Sequence, residues 1–161
     1  MTGPADPSLR LDRITLEGET LTRLSPLLEA DRAQAVADLR AENSFRPESG
    51  GSGPFGLRLS IHEGRLVFDI RAVDDAPLRS ILLALGPFRG LIRDYQMLVD
   101  SHAMAVTEGR EARIQAIDMG RRGLHNEGAE LLLQRLAGKV AIDFATARRL
   151  FTLVCVLHQR I

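Results

Sequence analysis

Tryptophan is absent from this sequence, and its aromatic side chains amount to one tyrosine and six phenylalanines. So few rings leave little with which to stack on nucleobases. Cys155 is the single cysteine, so no internal disulfide can form, as expected of a protein kept in a reducing compartment. Long apolar runs are missing too: the longest, near Ile81–Leu85 and Leu150–Leu157, are too short to span a bilayer. The opening MTGPADPSLR lacks the basic start, apolar core and cleavage site of a secretion signal. Nor is there an excess of either charge. Lys and Arg number 21 against 21 Asp and Glu, so no whole-protein field draws in nucleic acid or an anionic membrane. The expectation is a cytoplasmic protein with neither nucleic acid nor membrane as partner.

Familiar catalytic spacings are equally scarce. HExxH is absent, and His62, His102, His125 and His158 are scattered without metal-ligand spacing, so no metal is expected. GxSxG is absent, and no Walker loop or dinucleotide fingerprint occurs. No pair of carboxylates has a spacing that implies glycosidase chemistry. Cys155 lies in the apolar string LFTLVCVL without an obvious activating partner, which reads as packing rather than nucleophilic chemistry. No cofactor is called for, and a catalyst is the less favoured class.

What is present is an ordinary globular composition, 45% apolar over 161 residues, enough for one domain with a sizeable core. Residues 1–7 read as a disordered terminus, and 8–161 as a single α+β domain. Leu9, Leu11, Ile14 and Leu16 predict a strand with a bulge near Arg13. Ser25–Pro26 is a helix start, and Leu28, Ala35, Val36 and Leu39 mark one side of a helix ending near Asn43. Residues 46–56, rich in Gly and Pro, predict a mobile loop. Alternation at Leu57, Leu59, Ile61 and again at Leu66, Phe68, Ile70 predicts a β-hairpin, with a four-residue connection at His62–Arg65.

Helical spacing is predicted from Pro77 onward in the residues Leu78, Ile81, Leu82 and Leu85, broken at Gly86–Pro87 and resumed from Phe88 to Val106. On that stripe His102 reads as a hydrogen-bonded core histidine. Gly109 ends the helix, and Glu111–Met119 begins another. Asn126 is expected to cap a further helix with Glu127 in its first turn, carrying Leu131, Leu132 and Leu136 and ending at Gly138. A short extended piece at Val140–Ile142 leads to Asp143, the cap of a last helix apolar around more than half its circumference. The predicted fold is a small antiparallel sheet of about three strands, the N-terminal strand plus the hairpin, packed against a C-terminal helical bundle.

The stretch Gly120–Gly128, GRRGLHNEG, stands out. Read as a turn before a helix start, it joins permissive glycines, the fork-shaped donors of Arg121 and Arg122, and a positive helix end, which together suit a phosphate or carboxylate. Arg148 and Arg149 fall near the positive end of the last helix, where they call for Asp143 or Asp118, or for a bound anion. The candidate ligand-binding set is therefore Gly120, Arg121, Arg122, Gly123, His125, Asn126 and Arg148. The alternative is that glycines and arginines are turn residues and surface pairs.

The strings LVFDIR (66–71), IDMGRRGLHNEG (117–128) and DFATARRLFTLVCVLH (143–158) resemble uncharacterised protein family 0262 of bacteria, over most of the chain from about Leu9 onward. That resemblance implies a small cytoplasmic bacterial protein and brings no activity, cofactor or catalytic residue. Three functional readings stand. The first is a binding or regulatory module with a pocket for an anionic small molecule or phosphorylated ligand. The second is a phosphotransfer or acid–base enzyme using His125, with Glu127 or Asp118 orienting it. The third is a subunit that binds a protein partner or a second copy through an exposed helical face.

Overall fold

A computed structural model describes residues 6–18 and 24–158. The N-terminal strand β1 (Leu11–Leu16) leads to helix α1 (Pro26–Ala41), followed by the short β2 (Arg46–Pro47). Strands β3 (Phe55–His62), β4 (Arg65–Arg71) and β5 (Pro77–Ala84) come next. A 3-10 turn at 86–88 then opens α2 (Arg89–Glu108), α3 (Glu111–Leu136), the short β6 (Val140–Ala141) and α4 (Phe144–Leu157). Of the predicted frayed terminus, residues 1–5 lie outside the described residues, as does Ile161 at the other end. Asp6 accepts hydrogen bonds from the Ser8 backbone N–H and hydroxyl.

The class is α+β, but the sheet is not wholly antiparallel. Four strands lie in the order β1-β3-β4-β5, with β1 parallel to β3 and the other pairs antiparallel, while β2 and β6 form a separate two-stranded ribbon. The parallel pair follows from the intervening α1: a strand that returns through a helix re-enters the sheet in the same direction. Its register steps between Leu11 and Arg13, the bulge expected from the break in alternation. Asn43, just past α1, clamps the free edge of the bulge by accepting from the Leu11 N–H and donating to its carbonyl.

β5 is the main departure from the sequence reading. Leu78, Ile81, Leu82 and Leu85 fit a helical period, yet Ile81, Leu83 and Leu85 also fit a period of two, and these three are buried. Leu78 and Leu82 are exposed. The unpaired edge of β4 decides the matter, because Leu16, Leu59, Phe68 and Ile81 then align in one buried row across four strands. Asp74 and Asp75 serve the β4–β5 turn, Asp74 by accepting the Ala76 N–H and Asp75 by donating its own N–H to the Ala72 carbonyl. The hairpin connection is also tighter than expected: His62 pairs with Arg65, leaving the two-residue turn Glu63–Gly64, both at positive φ. The segment 46–56 contains β2 and the start of β3, and Phe55 within it is buried against Phe45, just before it, with 5.9 Å between ring centroids.

The helices pack on the sheet through α1, against β1, and α4, against β3, with α3 on α4 and α2 on α3. Ser25 caps α1 through the Leu28 N–H, and Asp143 caps α4 through the Thr146 N–H, both as the sequence indicates. α4 is central: every residue from Leu150 to Leu157 is buried, and it packs on α1, α3 and β3. Gly109, in the left-handed conformation at φ 68°, closes α2 and turns the chain into α3. The predicted turn within Gly120–Gly128 does not exist. α3 runs unbroken through all three glycines, so Asn126 and Glu127 sit in mid-helix and cap nothing.

Three glycines cost a helix about 1 kcal/mol each relative to alanine. The α3–α4 contact offsets this: a Cβ at Gly128 would lie 2.1 Å from the Phe151 ring. Gly123, by contrast, has nothing within 4 Å of such a Cβ. The two positions are expected to respond with opposite signs in urea denaturation. Gly123→Ala gains up to about 1 kcal/mol from helix propensity, whereas Gly128→Ala loses roughly 1–3 kcal/mol or more as the ring is displaced.

Candidate functional site

The singled-out cations gather because α3 is continuous. Arg121, Arg122 and His125 stand at i, i+1 and i+4 on one helix, which turns Arg121 and His125 to the same side. α4 brings Arg148, Arg149 and Thr152 against them, and α1 supplies Asp31, Gln34, Ala35 and Asp38. Together these line a concavity of about 210 Å³. Gly120, Gly123 and Glu127 do not line it and are exposed. Asn126 takes part at one remove, accepting a hydrogen bond of 2.8 Å from Arg148 Nε.

One arginine is held firmly. Arg121, 16% exposed, places Nε 3.1 Å from Asp31 Oδ2, and its Nη1 donates to Asp118 Oδ1 at 2.6 Å. The Nε–H is within ion-pair reach of Asp31 but not aligned for a hydrogen bond. Burial opposes the Arg121 charge, but the Asp118 hydrogen bond and the charges of Asp31 and Asp118 outweigh it and raise its proton affinity. Asp31 accepts a second contact, from the Tyr95 hydroxyl on α2. Burial, and then the Asp31 charge, push the Tyr95 phenol far above its usual range, so it remains a neutral donor.

His125 lies over this pair, its ring 5.3 Å from that of Tyr95. It is 6% exposed, and its Nε2 has no hydrogen-bond partner among the described residues. Burial, then the positive charges of Arg148 and Arg121, lower its pKa to about 3. At neutral pH the ring is uncharged.

Arg148 and Arg149 differ from the sequence reading. Neither pairs with Asp143 or Asp118: Asp143 caps α4, and Asp118 is taken by Arg121. Arg149 instead caps the end of α1, donating to the Glu42 carbonyl at 3.0 Å with Asp38 Oδ2 4.0 Å from its Nε. Arg148 has no carboxylate partner among the described residues, and neither has Arg122. Burial, followed by the charges of Arg122 and Arg149, lowers the proton affinity of Arg148. His102 is half-buried rather than in the core, lining an apolar groove with Pro26 and Val99. Among the described residues no three His, Cys, Asp or Glu side chains could hold a metal ion together, and no helix is long and apolar enough to cross a membrane.

Asp31 and Tyr95 were not foreseen. Their signal was available: Asp31 lies three residues after Leu28 and four before Ala35, a carboxylate on a buried stripe. Tyr95 sits on the stripe with Ile92 and Val99. A polar group on such a stripe needs a partner.

The neutral state of His125 fixes a sign for pH dependence. Its pKa falls from about 6.5 unfolded to about 3 folded, so below the unfolded value the unfolded chain binds the extra proton. Stability is therefore complete above that value and falls as pH drops. Between pH 7 and pH 5 this group alone is expected to remove about 2 kcal/mol. Urea midpoints at the two pH values measure it. The drop disappears in His125→Leu; an equal drop in both proteins would assign the slope to other groups.

The model of Uncharacterised protein family (UPF0262) matches residues 8–160 of this chain. A UPF0262 protein of Granulibacter bethesdensis is 68% identical over 162 aligned positions, covering 96% of this chain and 92% of its own. One from Acidiphilium cryptum is 60% identical and covers 98% of both chains; one from Rhodopseudomonas palustris is 50% identical, covering 98% of this chain and 96% of its own. No solved structure matches. With nearly its whole length matched, the chain belongs to Uncharacterised protein family UPF0262.

Proposed function

We propose that this protein is a small binding or regulatory module whose concavity at Arg121, Arg122, His125 and Arg148 accepts an anion, phosphate or carboxylate. One observation carries the reading. Arg122 and Arg148 are close enough for the first to depress the proton affinity of the second, and neither has a carboxylate partner among the described residues. Like charges held together are destabilising, and a bound anion reverses the sign of that interaction. The partnerless Nε2 of His125 on the same lining adds a donor that is otherwise costly to leave unmade.

Phosphotransfer through His125 is the weaker reading. An acid–base or phospho-accepting histidine needs a carboxylate to orient it, and Asp118 is taken up by Arg121. Glu127 points away from the concavity and cannot orient the ring.

Calorimetry and thermal unfolding with inorganic phosphate and malonate test the proposal. Wild-type protein is expected to bind one of them and to gain stability by mass action. Arg148→Ala should weaken binding about tenfold or more, the worth of a charged hydrogen bond. Without anion, the same variant should be no less stable than wild type, since it relieves repulsion. Equal, negligible binding by both proteins would sink the pocket.

A further inference from the structure

Resting on the anion-accepting reading, the donors of the concavity also discriminate between anions. Arg122 makes no hydrogen bond or ion pair among the described residues, Arg148 uses only its Nε, and His125 leaves Nε2 unmatched. Arg121, anchored by Asp31 and Asp118, backs them with further positive charge. A carboxylate is planar and is satisfied by a single guanidinium fork. The guanidinium of Arg122, the two Nη groups of Arg148 and an imidazole N–H, arriving from two helices, exceed what it can use. A phosphoryl monoester presents three terminal oxygens in a tetrahedral array and a charge of about −1.5 to −2 near neutrality. That matches two unbalanced arginines and a neutral histidine donor.

The remaining wall limits what the phosphoryl group is attached to. The concavity, about 210 Å³, opens to solvent, so a phosphoryl group on its arginines can carry a substituent that runs along the remaining wall. Beyond the cations, the wall is polar: Gln34, Asp38 and Thr152, with Ala35 as the small apolar exception. No phenyl or phenol ring among the described residues lines it. An acyl chain would find no apolar wall beyond Ala35, and a nucleobase no phenyl or phenol ring to stack on. The carboxylates of Asp31 and Asp38 repel a second phosphoryl group but accept hydroxyl donors.

We infer that the concavity binds a small hydroxylated phosphomonoester, its phosphoryl group held by Arg122, Arg148 and His125 Nε2 and its hydroxyls turned toward Gln34 and Asp38. His125 serves in the tautomer that carries its proton on Nε2.

Titration calorimetry with glycerol 3-phosphate, ribose 5-phosphate, inorganic phosphate, malonate and adenosine diphosphate separates the possibilities. Either phosphomonoester is expected to bind at least tenfold more tightly than phosphate, malonate or the diphosphate. Gln34→Ala should narrow the ratio of phosphomonoester to phosphate affinity several-fold while leaving phosphate binding unchanged. Arg122→Gln, an exposed position that leaves folding intact, should weaken all phosphoryl ligands alike. Malonate binding as tightly as the phosphomonoesters overturns this assignment and leaves the anion pocket standing, as does a diphosphate that binds best. Failure of every anion to distinguish wild type from Arg122→Gln and Arg148→Ala overturns the pocket and the assignment together.

Discussion

Helices α3 and α4 meet where Phe151 occupies the space a side chain at position 128 would need. This contact sets much else. It draws the two helices together, which seals the core above the sheet with α4 at its centre. It also brings the cation-bearing parts of both helices within reach of one another, so that Arg148 meets Asn126 and feels Arg121 and Arg122. A bulkier residue at 128 would separate the helices and open the concavity along with the core.

Around that contact, polar groups from three helices form one assembly. Asp31 of α1 is shared by Tyr95 of α2 and Arg121 of α3, and Arg121 reaches on to Asp118. A buried ion pair of this kind adds little net stability, because desolvation offsets the attraction. Its effect is orientation: it fixes Arg121 and, through ring packing, the face that Tyr95 shows to His125. What remains above it, Arg122, Arg148 and His125 Nε2, has no ion-pair or hydrogen-bonded carboxylate among the described residues, although the Asp31 charge acts on Arg148 from farther off. The lower layer is electrostatically closed and the upper layer open, a division that suits a rigid base beneath a ligand.

The hairpin was legible in the sequence because Leu57–Ile61 and Leu66–Ile70 alternate with one buried face. Ser25, Asp143 and Gly109 were legible because caps depend on local chemistry. β5 was not, since Ile81 and Leu85 serve a period of two and a helical period equally well, and the β4 edge that chose between them is tertiary. Gly120–Gly128 misled for a related reason. Glycine signals a turn on average, yet here Gly128 answers to Phe151, far along the chain. The candidate residues Arg121, Arg122, His125 and Arg148 were picked by type, as donors at a supposed helix start. They meet instead because a continuous helix spaces the first three and α4 delivers the fourth. Asp31 and Tyr95 escaped because their partners lie 64 or more residues away.

The charge balance of the whole chain acquires a different meaning in this light. Equal numbers of acids and bases exclude a global field but say nothing of local pairing. Carboxylates are at hand near the concavity, and they are assigned elsewhere: Asp118 to Arg121, Asp143 to the start of α4, Asp38 to Gln34 and Arg149. None of them forms an ion pair with Arg148, whose proton affinity burial lowers first and the charges of Arg122 and Arg149 lower further, against a partial opposing effect of Asp31. Local excess of positive charge, set over a neutral histidine and maintained against that repulsion, is the kind of unrelieved interaction that an incoming anion resolves.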